Sequence, residues 1–289
     1  MSLGQWDWEA TGSGRPGANR TGPGRVGCTM ATRDPAPPTP PASPGPHIAT
    51  AGWTIPRAVA DAFPAQGAGL ERYAARFGAV EINSTFYRSH RASTYARWVA
   101  STPESFRFAV KAPRTITHEA RLAGDRELVA SFLQEVGQLG DRLGPVLVQL
   151  PPSLAFEHGV AEAFFAGLRE LWAGPVACEP RHVSWFEDEA DALLQAHRIG
   201  RVAADPARHP LAGQPGGWSG LAYWRLHGSP RMYYSAYEAE ALAAVAGAMR
   251  AAAMGAAGAA QTWCVFDNTT SGAAMANALS LQAMLGRPA

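Results

Sequence analysis

Side chains able to move protons or hold charge recur along this chain in pairs two residues apart: Glu81 with Asn83, Glu179 with Arg181, and Arg225 with His227. In an extended strand that spacing puts both members of a pair on one face. Lys111, Gln149, Asp205, Asp267 and Asn268 stand at comparable places, at or near the C-terminal end of a short apolar run. Such a set could perform acid–base chemistry on a small anionic substrate. Arg181 and Arg225 would grip its phosphate or carboxylate through their planar forks. Lys111 would serve as proton donor, electrophile or imine former, since an ammonium close to two guanidiniums titrates below its usual range. Histidine is the residue type suited to proton exchange near neutral pH, and Glu179 can orient or charge His227, so these two form a candidate acid–base pair. Glu81 and Asp205 are further candidate catalytic carboxylates. Asn83, Gln149, Tyr87 and Asn268 are candidate substrate-binding groups.

Two other chemistries compete with this one, which itself calls for no cofactor. Glu179, Asp205, His227 and Asp267 make a carboxylate-rich set with one imidazole, suited to a divalent metal such as Mn, Mg or Zn. Against it stand Lys111, Arg181 and Arg225, which would repel an ion. The aromatic residues Trp53, Phe86, Tyr87, Trp185, Tyr233 and Tyr234 could instead stack on bases or sugars, as in a non-catalytic module for a nucleotide or nucleic-acid end.

The composition narrows the partners. Across 289 residues, 25 Lys+Arg oppose 24 Asp+Glu, a formal charge of +1, which argues against extended duplex binding. Lys111 is the one lysine, and asparagine occurs only at 19, 83, 268 and 277. In a chain so rich in Ala, Gly, Pro and Arg, a lysine or asparagine that persists is mildly informative. Cys28, Cys178 and Cys264 cannot all pair and lack metal-type spacing, which suggests a reducing cytoplasm. No apolar run is long enough for a membrane span, and none has the form of a signal peptide. Residues 1–46 hold nine Pro and eight Gly and almost no large aliphatic side chains, the composition of a disordered tail. Met30 offers a second point at which translation could begin. The four arginines and three acids of the tail leave 21 basic and 21 acidic residues in the remainder, so the folding part, 47–289, is formally neutral.

That remainder shows eight short runs rich in strand formers: 47–51, 79–83, 106–111, 146–150, 175–179, 201–205, 222–227 and 262–267. Helical spacing separates most of them, as in Leu70, Tyr73, Ala74 and Phe77, in Leu128, Val129, Phe132, Leu133 and Val136, and in Phe164, Phe165, Leu168, Leu171 and Trp172. Alanine-rich stretches after Ser235 and after Gly272 supply two more helices, whereas 206–220 reads as a loop in place of the sixth. Alternation of this kind predicts parallel strands joined by right-handed crossovers. Eight of them predict an α/β fold of the (β/α)8 TIM-barrel type, whose chemistry lies at the strand C-termini. Cys178 and Cys264 then face the helices as packing residues.

The segments GW (52–53), EINSTFY (81–87), FRFAVKAPR (106–114), ITHEARL (116–122), LGPVLVQLPPS (143–153), EPRHVSWF (179–186), RLHG (225–228), YYSAY (233–237) and FDNTTSGAAMANA (266–278) resemble the family called domain of unknown function 72, DUF72, the YecE-like barrels. The resemblance covers essentially 48–286; it implies a TIM barrel and leaves the activity open. Pro180 and Val183 stand inside its Glu-x-Arg-His-x-Ser-Trp motif, and Asp267 occupies a place where Asn is also common, which weakens any mechanism needing a carboxylate there. The metal set ends strands five to eight, as the ligands of xylose-isomerase-like isomerases and nucleases do.

Overall fold

The computed structural model describes residues 45–254 and 259–286. The expected tail, apart from its last two residues, lies outside the described residues, as do Cys28 and Met30. The apolar runs form strands close to where their composition places them: β1 (His47–Thr50), β2 (Ala79–Ile82), β3 (Arg107–Lys111), β4 (Leu143–Gln149), β5 (Val176–Glu179), β6 (Ile199–Arg201), β7 (Ala203–Asp205), β8 (Gly216–Gly217), β9 (Leu221–Leu226) and β10 (Gln261–Phe266). The sixth predicted strand is thus two short strands separated by Val202, and β4 begins three residues before the predicted run.

The strands pair into two sheets, β1-β10-β9-β7 and β2-β3-β4-β5-β6-β8. Every pairing is parallel except that of β8, which runs antiparallel to β6. A parallel bridge between Ala51 and Glu81 links the end of β1 to β2. The established architecture is therefore a mixed α/β fold with largely parallel sheets.

Helices fill the connections: α1 (Gly69–Ala74), α2 (Ala92–Ala100), α3 (Arg126–Val136), α4 (His158–Leu171), α5 (Asp188–Ala196), α6 (Ala239–Met254) and α7 (Ala273–Met284). Their starts follow capping chemistry. The Asp125 carboxylate accepts from the Glu127 amide at the head of α3, and Glu157 accepts from the Gly159 and Val160 amides at the head of α4. Between Asp205 and Leu221 there is no α-helix, only a 3-10 turn (Pro210–Gly213) and β8. Helix α2, which no pattern singled out, buries Tyr95 and Trp98. No helix of the described residues is long and apolar enough to cross a membrane.

Alternation along the strands sorts side chains into two cores. Even-numbered residues of most strands, including Ile48, Val80, Phe108, Val146, Cys178, Trp224 and Cys264, pack with the apolar stripes of the helices. Odd-numbered ones, Ala49, Ala79, Ala109, Leu147, Ala177, Tyr223, Trp263 and Val265, form a separate cluster to which no helix contributes. Four alanines in that cluster leave room for the large rings of Tyr223 and Trp263, which stack with centroids 6.0 Å apart. At Gly200 a Cβ would lie 2.6 Å from the Leu221 carbonyl oxygen. Because backbone cannot swing aside as a side chain can, Gly200→Ala should cost about 1–3 kcal/mol. Urea unfolding checks this: the midpoint should fall at unchanged slope, and an unchanged midpoint would refute the close approach.

Candidate functional site

Continued past the alanine layer, the helix-averted face ends in charge. Arg225, on β9, is fully buried. Its Nε donates to Glu81 Oε2 (3.0 Å), its Nη2 to Glu81 Oε1 (2.7 Å) and Asp267 Oδ2 (3.0 Å), and its Nη1 to Glu179 Oε2 (2.7 Å). Four bonds from five N–H groups onto three carboxylates leave little with which to grip a substrate. The expectation of Arg225 as an anion clamp thus meets a guanidinium already committed to protein. Tyr223, two residues earlier on the same face, donates its hydroxyl to Glu81 Oε2 (2.8 Å), and Gln149 Nε2 donates to Glu179 Oε2 (2.9 Å).

Electrostatics favour the charged forms. Burial alone would push Glu179 upward, but Arg225, Arg181 and His227 outweigh it and hold the carboxyl well below its ordinary range. Asp267 is likewise pushed up by burial and drawn below its usual value by Arg225 and His227. Burial works against the Arg225 charge, yet Glu81, Glu179 and Asp267 keep the guanidinium protonated.

His227 sits in the same network. Its Nδ1 lies 3.0 Å from Asp267 Oδ2, and its Nε2 lies 2.8 Å from both Glu179 Oε1 and Arg181 Nη2. Nε2 therefore faces an ionised oxygen that can only accept and a nitrogen that can only donate. With a proton it suits Glu179 and opposes Arg181; without one the preference reverses. Arg181 also donates to Glu179 Oε1, while its Nε is buried with no hydrogen-bond partner.

Lys111, at the end of β3, is buried yet makes none of the ion pairs among the described residues. Its ammonium sits 4.1 Å from the centroid of the Phe86 ring. Burial and then Arg225 draw it from 10.5 to about 8, with Glu81, Glu179 and Asp267 pulling the other way. His118, edge-on to Phe86 at 5.0 Å, is lowered by its own burial and then by Lys111 and Arg114.

The remaining candidates divide. Asn83 Nδ2 reaches Asp267 Oδ1 only at 3.5 Å, and its Oδ1 is buried without a partner. Asn268 donates to the Ser235 carbonyl and to Asn277 Oδ1, and its Oδ1 is also unpartnered. Asp205 does not join the cluster: its carboxylate accepts the Tyr237 hydroxyl at 2.7 Å. Tyr87 is 74% exposed and touches Phe86 instead of the charged groups. Nor do Glu179, Asp205, His227 and Asp267 converge as metal ligands, because Asp205 faces Tyr237 and the Arg225 guanidinium bonds both Glu179 and Asp267. Among the described residues no group of three or more His, Cys, Asp or Glu side chains could hold a metal ion. Of the aromatics proposed to stack on bases, Trp185 is buried with its indole N–H on the Leu154 carbonyl, and Trp53 packs against Trp98.

Sequence reasoning missed Tyr223, His118 and, as part of the charged cluster, Tyr233. The period of two from Arg225 could have found Tyr223. Tyr233 was singled out only as an aromatic that could stack on bases, and nothing in the sequence marks it as a neighbour of His227; its φ of 69° is unusual for a residue with a side chain. Its amide donates to the His227 carbonyl and its carbonyl accepts from the Thr270 amide. So held, its ring stands edge-on to His227 at 5.8 Å.

Comparison with known proteins places this geometry in a family. A stretch of 82 residues is 40% identical to UPF0759 protein YecE of Escherichia coli (strain K12), covering 28% of this chain and 30% of that one. A stretch of 146 residues is 27% identical to UPF0759 protein YunF of Bacillus subtilis (strain 168), covering 48% and 52%. The matched stretches thus span about half or less of these relatives' length. Among solved structures, a DUF72 family protein of Thermotoga maritima MSB8 superposes with a TM-score of 0.69 at 26% identity, over 83% of this chain and 100% of that one. One from Enterococcus faecalis V583 gives 0.69 at 20% identity, over 84% and 96%. The family model described as "Protein of unknown function DUF72" matches residues 47–289, and the chain belongs to that family.

Proposed function

We propose that the two sheets are parts of one (β/α)8 barrel, and that the charged cluster at its strand C-termini is the active site of an enzyme doing acid–base chemistry on a small anionic substrate. The bridge from Ala51 to Glu81 and the run from β6 through Val202 into β7, which pairs with β9, support closure. Residues 47–289 would then be a single domain preceded by a tail, in a cytoplasmic setting.

The observation that carries the reading is a lysine, Lys111, buried near three carboxylates yet left out of their ion pairs. A purely structural network would spend its cations on its anions, as Arg225 does. In this site Arg225 bonds Glu81, Glu179 and Asp267 and holds the last two in their charged forms. Glu179 and His227 exchange the proton, and Arg181, with an N–H to spare, receives the anionic group with Lys111. Asn83 and Asn268, each with an unpartnered oxygen, are the polar contacts for the rest of the substrate.

Melting curves test this. Inorganic phosphate or pyruvate should raise the melting temperature of the full chain, and Arg181→Ala should abolish the rise. A rise undiminished in that variant, or no rise in the parent protein, would sink the assignment.

A further inference from the structure

Resting on that reading of the site, we infer that Lys111 is an imine-forming nucleophile that captures the carbonyl carbon of a small anionic aldehyde or ketone. Four observations converge on it. The chain uses arginine at every other Lys+Arg position. If position 111 needed only a positive charge, a guanidinium would serve; a guanidinium does not give up its proton in a protein, whereas an ammonium can. The ammonium lies against the face of Phe86 instead of a carboxylate, so no ion pair has to break before the amine is free. The three nearby carboxylates are bonded by Arg225, which keeps them from pairing with the ammonium in its place. Arg181, with its buried unpartnered Nε, offers a docking point for an anionic group attached to the carbonyl.

The step balances without an oxidant or reductant. Neutral Nζ attacks the carbonyl carbon and the N–C bond forms as the carbonyl oxygen takes up a proton to become a hydroxyl. The nitrogen passes one proton to the cluster, the hydroxyl leaves as water on receiving one back as the C=N bond closes, and the iminium nitrogen then returns its second proton to the cluster. Amine plus carbonyl becomes imine plus water, with no net change in protons across the site. Beside this geometry, burial and then Arg225 bring the Lys111 titration to about 8, which makes the neutral amine accessible near neutral pH.

The single lysine makes the experiment direct. The full chain is incubated at about pH 7.5 with sodium cyanoborohydride and either pyruvate or dihydroxyacetone phosphate, then mapped by peptide mass spectrometry. One reduced adduct should appear on the peptide containing Lys111, about tenfold or more faster than on Nα-acetyl-lysine under the same conditions. Lys111→Arg, checked for its fold by circular dichroism, should lose it. The pyruvate and dihydroxyacetone phosphate arms separate a carboxylate-bearing from a phosphate-bearing carbonyl. Labelling confined to the N-terminal amine, or Lys111 labelling no faster than the free amine, overturns the inference. If ligand-induced stabilisation through Arg181 persists while no adduct forms, carbonyl capture falls and the anionic-substrate reading stands. An adduct at Lys111 without Arg181-dependent stabilisation supports capture and removes Arg181 from the reading.

Discussion

Replacing Arg225 with methionine should destabilise the protein by about 3–5 kcal/mol, the range found when one partner of a buried ion pair is removed. The number follows from what is left behind. Glu81 and Glu179 are fully buried and Asp267 nearly so, and all three bond the same guanidinium, so a single substitution strands three carboxylates away from water. Arg126 makes a useful contrast: its pairing with Glu170 is more than half exposed on both sides, and its loss should cost little.

The pH dependence should change sign as well. In the parent protein Glu179 and Asp267 titrate below their ordinary ranges. The stability they contribute is therefore present above their unfolded values and lost as pH falls through the folded ones. Without Arg225, burial becomes the dominant influence and pushes the carboxyls upward. The folded variant then binds protons more readily than the unfolded chain, and its stability should rise as pH is lowered from 7 towards 5. Urea unfolding at several pH values reads both effects. A variant as stable as the parent, or one with a declining acid limb like the parent's, would show that the network is relaxed enough to admit water.

The same network marks the limit of what can be read from the chain alone. Glu81, Lys111, Gln149, Glu179, Arg225, His227 and Asp267 were legible as strand-end residues because their strands announce themselves and alternation fixes their face. What they bond was not legible, because Arg225 meets Glu81 and Glu179 only when strands that do not pair with one another, and that lie more than forty residues apart in sequence, are brought together by the fold. Asp205 is different, since its orientation could have been read. It shares parity with Arg201, which reaches back to Asp191 on α5, and with Ala203, which packs in the helix-facing core. A residue in step with those two points away from the charged cluster, towards Tyr237. Tyr87 was misplaced for another reason: β2 ends at Ile82, and the 3-10 turn Ser84–Phe86 breaks the alternation before the tyrosine is reached.

Lys111→Met should do the opposite of the Arg225 substitution and stabilise the protein near neutral pH. The lysine titrates at about 8 when folded against an ordinary 10.5, so the folded state disfavours its charge. At about 1.4 kcal/mol per pH unit, that gap is worth about 3 kcal/mol, for a side chain buried well enough that solvent screening removes little of it. Besides burial, the groups that set the balance are Arg225 on β9, Glu81 on β2, Glu179 on β5 and Asp267 just beyond β10. Below pH 8 both folded and unfolded chains carry the proton and the cost is present in full. Between about 8 and 10.5 this lysine holds its proton more readily in the unfolded chain than in the folded one, so its own cost is released as pH climbs through that window, while the buried thiols Cys178 and Cys264, pushed up by burial, act the other way equally in parent and variant. Methionine fills a similar volume without the charge, so its advantage over lysine should be largest below pH 8 and should shrink through the same window. Urea midpoints for parent and variant at pH 7, 9 and 10 measure it directly. Equal midpoints at pH 7, or a difference between variant and parent that does not shrink between pH 8 and 10, would mean that the carboxylates support the ammonium more than burial and Arg225 oppose it. The expected gain would show that position 111 carries a lysine at the expense of stability, as residues retained for chemistry often do.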